Sequence, residues 1–123
     1  RTGYAWDFDP HMDIFEASLD GQILRRLTDA PGYDAECAYS PDGKEIVFTS
    51  FRKGSGDLFI MNADGTDVRQ ITDSPGYDGG PFFSPAGDRI IFRGEIRKRD
   101  HLQIFVSNKD GTGERQLTFE DKD

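Results

Sequence analysis

Apolar residues come in short runs rich in β-branched and aromatic side chains, broken by Gly, Pro, Asp and Ser. That texture predicts strands, placed at 4–6, 13–18, 23–27, 36–39, 45–50, 58–62, 68–71, 81–83, 89–93, 103–108 and 114–117. Ile46-Val47-Phe48 and Ile90-Ile91-Phe92 are apolar at consecutive positions, so both faces of their sheets are expected to be covered. Asp20-Gly21, Asp64-Gly65 and Asp110-Gly111 lie between runs and predict tight hairpins, because both residue types tolerate positive φ. Residues 95–103 have few breakers but no apolar stripe. They are read as a loop holding no more than one helical turn.

The runs recur in register. Leu27-Thr28-Asp29-Ala30-Pro31-Gly32-Tyr33-Asp34 and Tyr39-Ser40-Pro41-Asp42-Gly43 return as Ile71-Thr72-Asp73-Ser74-Pro75-Gly76-Tyr77-Asp78 and Phe83-Ser84-Pro85-Ala86-Gly87, every pair 44 positions apart. From Phe59 to Phe105 the offset is 46, so the last unit carries two extra residues between strands. A period in the forties marks one supersecondary unit used repeatedly, each too small to bury a hydrophobic face alone. Four short antiparallel strands per period, covered on both faces, point to propeller blades. The expected fold is therefore all-β, a partial β-propeller of about three blades. Residues 1–27 read as an incomplete blade, 28–72 and 73–118 as blades, and 119–123 as the start of the next connection. The first blade lacks its inner strand in this reading. Sheet faces and an edge would then be open, which favours self-association or a place within a longer propeller.

Composition narrows the function classes. The 123 residues carry a formal charge of −8, which disfavours a nucleic-acid partner. Cys37 is the only cysteine, so an internal disulfide is excluded, and a buried inert thiol is expected. No apolar run reaches the ~20 residues that span a bilayer. His11 and His101 occupy non-equivalent contexts and lack zinc-ligand spacing. Gly54-Ser55-Gly56 fits a flexible loop better than a nucleophile motif, and Ser40 and Ser84 recur as turn residues. The acidic groups around Gly65 and between Asp7 and Asp13 lack the ligand series of a calcium loop. No catalytic residue, metal ligand or cofactor is assigned.

The succession Leu-Thr-Asp-x-Pro-Gly-Tyr-Asp, Phe/Tyr-Ser-Pro-x-Gly, Ile-x-Phe, Asp-Ile/Leu-Phe and Asp-Gly-Thr resembles the WD40-like repeat of TolB-type β-propellers. That repeat also occurs in the propellers of prolyl-oligopeptidase-like peptidases. The resemblance covers essentially the whole chain, although the Trp-Asp that ends ordinary WD40 blades is absent from its expected positions. It implies that Glu36–Tyr39 and Pro81–Phe83 lie innermost. It also implies that the Asp-Gly and Ser-Pro-x-Gly turns share one face, while the Pro-Gly-Tyr-Asp loops and the loops at 7–12, 51–56 and 94–101 share the other. A periplasmic or secreted location follows from the resemblance alone.

Two kinds of residue are then distinguished. Pro31, Gly32, Asp34, Ser40, Pro41, Gly43, Pro75, Gly76, Asp78, Ser84, Pro85 and Gly87 recur and read as architecture, since Pro presets φ, Gly permits positive φ and Asp braces nearby backbone. Arg52, Lys53, Arg97, Lys98, Arg99 and His101, with Tyr33 and Tyr77, lie on the variable-loop face and are the binding candidates. The leading expectation is a non-catalytic binding module for a protein or polymer partner in the bacterial envelope. The alternative is the substrate-gating propeller segment of a prolyl-oligopeptidase-type serine peptidase, which a downstream Gly-x-Ser-x-Gly segment would reveal.

Overall fold

The computed structural model describes residues 8–96 and 102–119. Within them the strands are β1 (Phe15–Ala17), β2 (Ile23–Arg26), β3 (Asp34–Tyr39), β4 (Glu45–Ser50), β5 (Asp57–Asn62), β6 (Arg69–Gln70), β7 (Asp78–Phe83), β8 (Arg89–Glu95), β9 (Leu102–Asn108) and β10 (Arg115–Gln116). They form three antiparallel sheets: β1-β2, then β3-β4-β5-β6, then β7-β8-β9-β10. The chain is all-β, as the runs predict, and the sheets are successive blades of a partial propeller. The strand expected at 4–6 lies outside the described residues.

Packing between sheets explains the consecutive apolar triplets. Ile46 and Phe48 join Phe59 and Met61 against Ile14 and Leu27 of the first sheet. The opposite face of the second sheet, Val47, Leu58, Ile60 and Ile71, packs on Ile90 and Phe92 of the third. The first triplet thus serves two interfaces, because alternate side chains leave a strand on opposite faces. In the second, Ile90 and Phe92 face the second sheet but Ile91 is exposed. The expectation that both faces of the third sheet are covered therefore does not hold among the described residues. Phe48 stacks on Phe59 with centroids 5.9 Å apart, and Phe92 stacks on Phe105 at 5.7 Å.

Polar contacts repeat at equivalent positions of successive units. The Thr28, Thr72 and Thr118 hydroxyls accept from the amides of Ile14, Leu58 and Ile104, each at 2.9 Å. These bonds tie the very short outer strands to the sheet. In the hairpins, Asp64 and Asp110 accept from the amides of Thr66 and Thr112, each at 3.0 Å. Ala63 donates to the Lys44 carbonyl and Lys109 to that of Asp88, so the Asp-Gly and Ser-Pro-x-Gly turns share one end of each sheet.

Two expectations change. Residues 94 and 95 belong to β8, not to a loop: the two extra residues add one ladder pair, Glu95 to Leu102, beyond Gly94 to Gln103. Extending a hairpin satisfies two more residues' backbone groups than a loop or an isolated helical turn would. Residues 97–101 lie outside the described set. Cys37 is exposed, not buried. It sits in a β-bulge between Ala35 and Ala38, with Glu36 at φ 55°, and a bulge breaks the alternation that would have turned its side chain inward.

Candidate binding face

The loops opposite the Asp-Gly turns converge around four aromatic rings. Phe8 lies 5.2 Å from Tyr33, 4.6 Å from Phe51 and 6.3 Å from Tyr77, and Phe51 lies 5.5 Å from Tyr33 and 6.1 Å from Tyr77. Tyr33 is buried beneath the others, Phe51 and Tyr77 are half-buried, and Phe8 is 40% exposed. Backbone bonds between neighbouring units hold the group: Asp34 donates to the Met12 carbonyl at 2.9 Å and Asp78 to that of Gly56 at 2.8 Å.

Beneath the rings lies a polar layer. The Arg52 guanidinium meets the buried Asp34 carboxylate at 3.3 Å and lies 4.9 Å from the Phe59 ring centroid and 5.6 Å from that of Phe48. Arg52 therefore points into the scaffold, and Lys53 is the exposed cation of this loop. Asp78 takes a hydroxyl hydrogen bond from Ser74. Arg97, Lys98, Arg99 and His101 lie outside the described residues. The Pro31 and Gly32 loop borders a hollow of about 390 Å³ with His11, Asp13 and Arg26.

Glu36 joins the second sheet to the third. Its carboxylate accepts from the Tyr77 hydroxyl at 2.6 Å and from the Gly80 amide at 2.6 Å, with the Arg93 guanidinium 3.8 Å away. Burial, then this carboxylate, push the Tyr77 hydroxyl far above its ordinary pKa, so it stays a neutral donor. Glu36 and Gly80 are equivalent bulge residues, at φ 55° and 58°. Sequence reasoning missed Glu36, Phe8 and Phe51, which are not part of the shared motif. The signal was a break in the repeat: Glu36 and Phe51 stand where the next unit has Gly80 and Glu95.

Desolvation raises the Asp78 carboxyl from 3.8 to about 6, against the lowering effect of its Ser74 and Thr72 bonds. The folded state thus holds this proton more tightly than the unfolded chain. The associated stability is fully present below about pH 3.8 and is lost as pH rises through about 6, a change of up to about 3 kcal/mol. Asp78→Asn stays neutral throughout. Urea unfolding should show its stability gaining on the wild type between pH 4 and pH 7; a pH-independent difference would contradict a proton on Asp78.

Among the described residues, no group of three or more His, Cys, Asp or Glu is arranged to hold a metal ion. No helix among them is long and apolar enough to cross a membrane.

Comparison with known proteins bears on the family and the fold. The family model described as TolB beta propeller domain matches residues 4–123. The Tol-Pal system protein TolB of Bordetella pertussis is 50% identical over 34 residues, 28% of this chain and 8% of that relative. A solved chain assigned to TolB from Agrobacterium tumefaciens superposes with a TM-score of 0.77 at 32% identity, over 86% of this chain and 40% of that one. TolB from Acinetobacter baumannii gives a TM-score of 0.72 at 23% identity, over 86% of this chain and 26% of that one, a likeness of fold alone. The chain thus spans less than half the length of each of these relatives.

Proposed function

Since the chain belongs to the TolB beta propeller domain family, we propose that it is a non-catalytic binding module. It presents the aromatic loop face to a protein or polymer partner in the bacterial envelope, in the periplasm or outside the cell. The observation that carries this reading is the set of Phe8, Phe51 and Tyr77 rings left partly uncovered above a fully bonded polar layer. Aromatic side chains held rigid lose little entropy on binding and bury much area, which is why they dominate interface energetics. Tyr77 and Lys53 meet the partner, together with Arg97, Lys98, Arg99 and His101. Tyr33 and Arg52 support the surface from beneath. The curated relatives are named for the Tol-Pal system, so that system's envelope components are the first partners to try.

The test titrates purified Tol-Pal envelope components into the chain in solution, with affinities read by calorimetry. Phe8→Ser should weaken binding by roughly 10-fold or more, the effect of losing a hot-spot ring, while the thermal midpoint stays near wild type. Replacing Arg97, Lys98 and Arg99 together by Ser should weaken binding to an acidic partner in the same way. Binding that neither variant alters would remove this face from the interaction.

A further inference from the structure

The two Pro-Gly-Tyr-Asp loops share a sequence but are held by different chemistry. Around residues 29–34, each inward-pointing aspartate has an arginine: Asp34 pairs with Arg52, and Asp13 with Arg26. Arg52 also donates to the Ser50 hydroxyl at 2.8 Å. In the next unit the same two places hold Asp78 and Asp57, both buried. There Ile96 stands in place of Arg52, Gly94 in place of Ser50 and Gln70 in place of Arg26.

Ser74 takes over from the missing cations. Its amide donates to Asp57 at 3.3 Å and its hydroxyl to Asp78, to which Thr72 also donates. Ala30, its counterpart in the first loop, has no hydroxyl to offer. The charges facing the second loop are mostly negative. Asp57 and Glu114 act on Asp78, Asp73 acts on Asp57, and Glu95 accepts from the Tyr77 amide at 3.1 Å. Glu36 holds the Tyr77 hydroxyl, with Arg93 beside it. Among the described residues no cation is paired with Asp57 or Asp78.

An ionised Asp34 is compensated where it stands. An ionised Asp78 has neutral donors only, so its charge is best relieved by water. Water reaches it most directly when the segment from Ser74 to Tyr77, which bonds to both aspartates' surroundings, moves away.

We propose that residues 73–77 form a pH-sensitive clasp, closed on Asp57 and Asp78 in mild acid and loosened toward neutral pH as these carboxyls ionise. Tyr77 moves with the clasp. Its ring lies 6.1 Å from that of Phe51 and 6.3 Å from that of Phe8, so loosening breaks up the aromatic group. The consequence for binding rests on the function proposed above: a partner of this face is held more tightly in mild acid.

Amide hydrogen exchange of the chain alone, corrected for intrinsic rates, tests the clasp. The Asp78 amide donates to the Gly56 carbonyl and the Glu95 amide to that of Tyr77; their counterparts are Asp34 on Met12 and Phe51 on Tyr33. With the Asp78 carboxyl at about 6 in the closed clasp and 3.8 in the open one, opening becomes about 10-fold more favourable between about pH 5 and pH 7.5. Protection of the Asp78 and Glu95 amides should fall by that factor while that of Asp34 and Phe51 stays level. Asp78→Asn, which stays neutral, should abolish the fall. Ile96→Arg, which restores the first loop's arginine, should abolish it as well, and circular dichroism checks that both variants fold. Protection that is constant in wild type, that falls alike in both loops, or that keeps its pH dependence in either variant would overturn the proposal. Because exchange is read without a partner, such a result is distinct from a failure of the aromatic face to bind.

Discussion

Phe92→Ala is expected to lower stability by about 3–5 kcal/mol, and Phe48→Ala by a similar amount. Both rings are essentially inaccessible, at 2% and 0% exposure, and each belongs to the cluster between its own sheet and the preceding one. Truncation removes the transfer free energy of a phenyl ring. It also leaves a cavity that two facing sheets can collapse only by shifting together. Phe48 loses a further contact, since its ring also lies under the Arg52 guanidinium. Urea midpoints measured for both variants check the expectation, and a midpoint unmoved in either would contradict the observed packing.

Gly111→Ala should be comparably damaging, for a different reason. The residue has φ 87°, and an added Cβ would overlap the backbone carbonyl oxygen of Ile71 in the neighbouring sheet. A left-handed residue costs about 1–2 kcal/mol when it gains a side chain. Overpacking against backbone, which cannot rotate aside, adds roughly 1–3 kcal/mol. Gly21→Ala is the internal control, because Gly21 has φ 90° and open space around it. At concentrations where the chain is monomeric it should show the conformational cost alone. Equal losses in the two variants would mean that the close approach between sheets carries no weight.

The scaffold was legible because its signals are local and repeated. Asp64-Gly65-Thr66 and Asp110-Gly111-Thr112 write the same hairpin twice, and Ile46-Val47-Phe48 announces a strand packed on both faces. The binding face was less legible for the same reason. Phe8, Phe51 and Tyr77 meet across three loops, and Glu36 reaches from one sheet to the next, so no spacing within a unit encodes their contact. Arg52 looked like a rim cation because sequence cannot show that Asp34 and two aromatic rings lie within its reach. Cys37 was misread because its bulge is made by Glu36, a residue type that rarely adopts positive φ.

The Thr118–Ile104 bond has the same length as the Thr72–Leu58 bond, although the hairpin joining β8 and β9 is two residues longer than its counterpart. The hydroxyl latch stands at the base of that hairpin, so the added length rises outward as one more rung and leaves the frame below unmoved. A scaffold built this way tolerates insertions of two at a time, because each keeps the in-and-out alternation of side chains in phase. An insertion of one inside the paired strand would invert that alternation beyond it. Natural variation in these hairpins should therefore proceed in even steps, letting new recognition surfaces be tried without renegotiating the core.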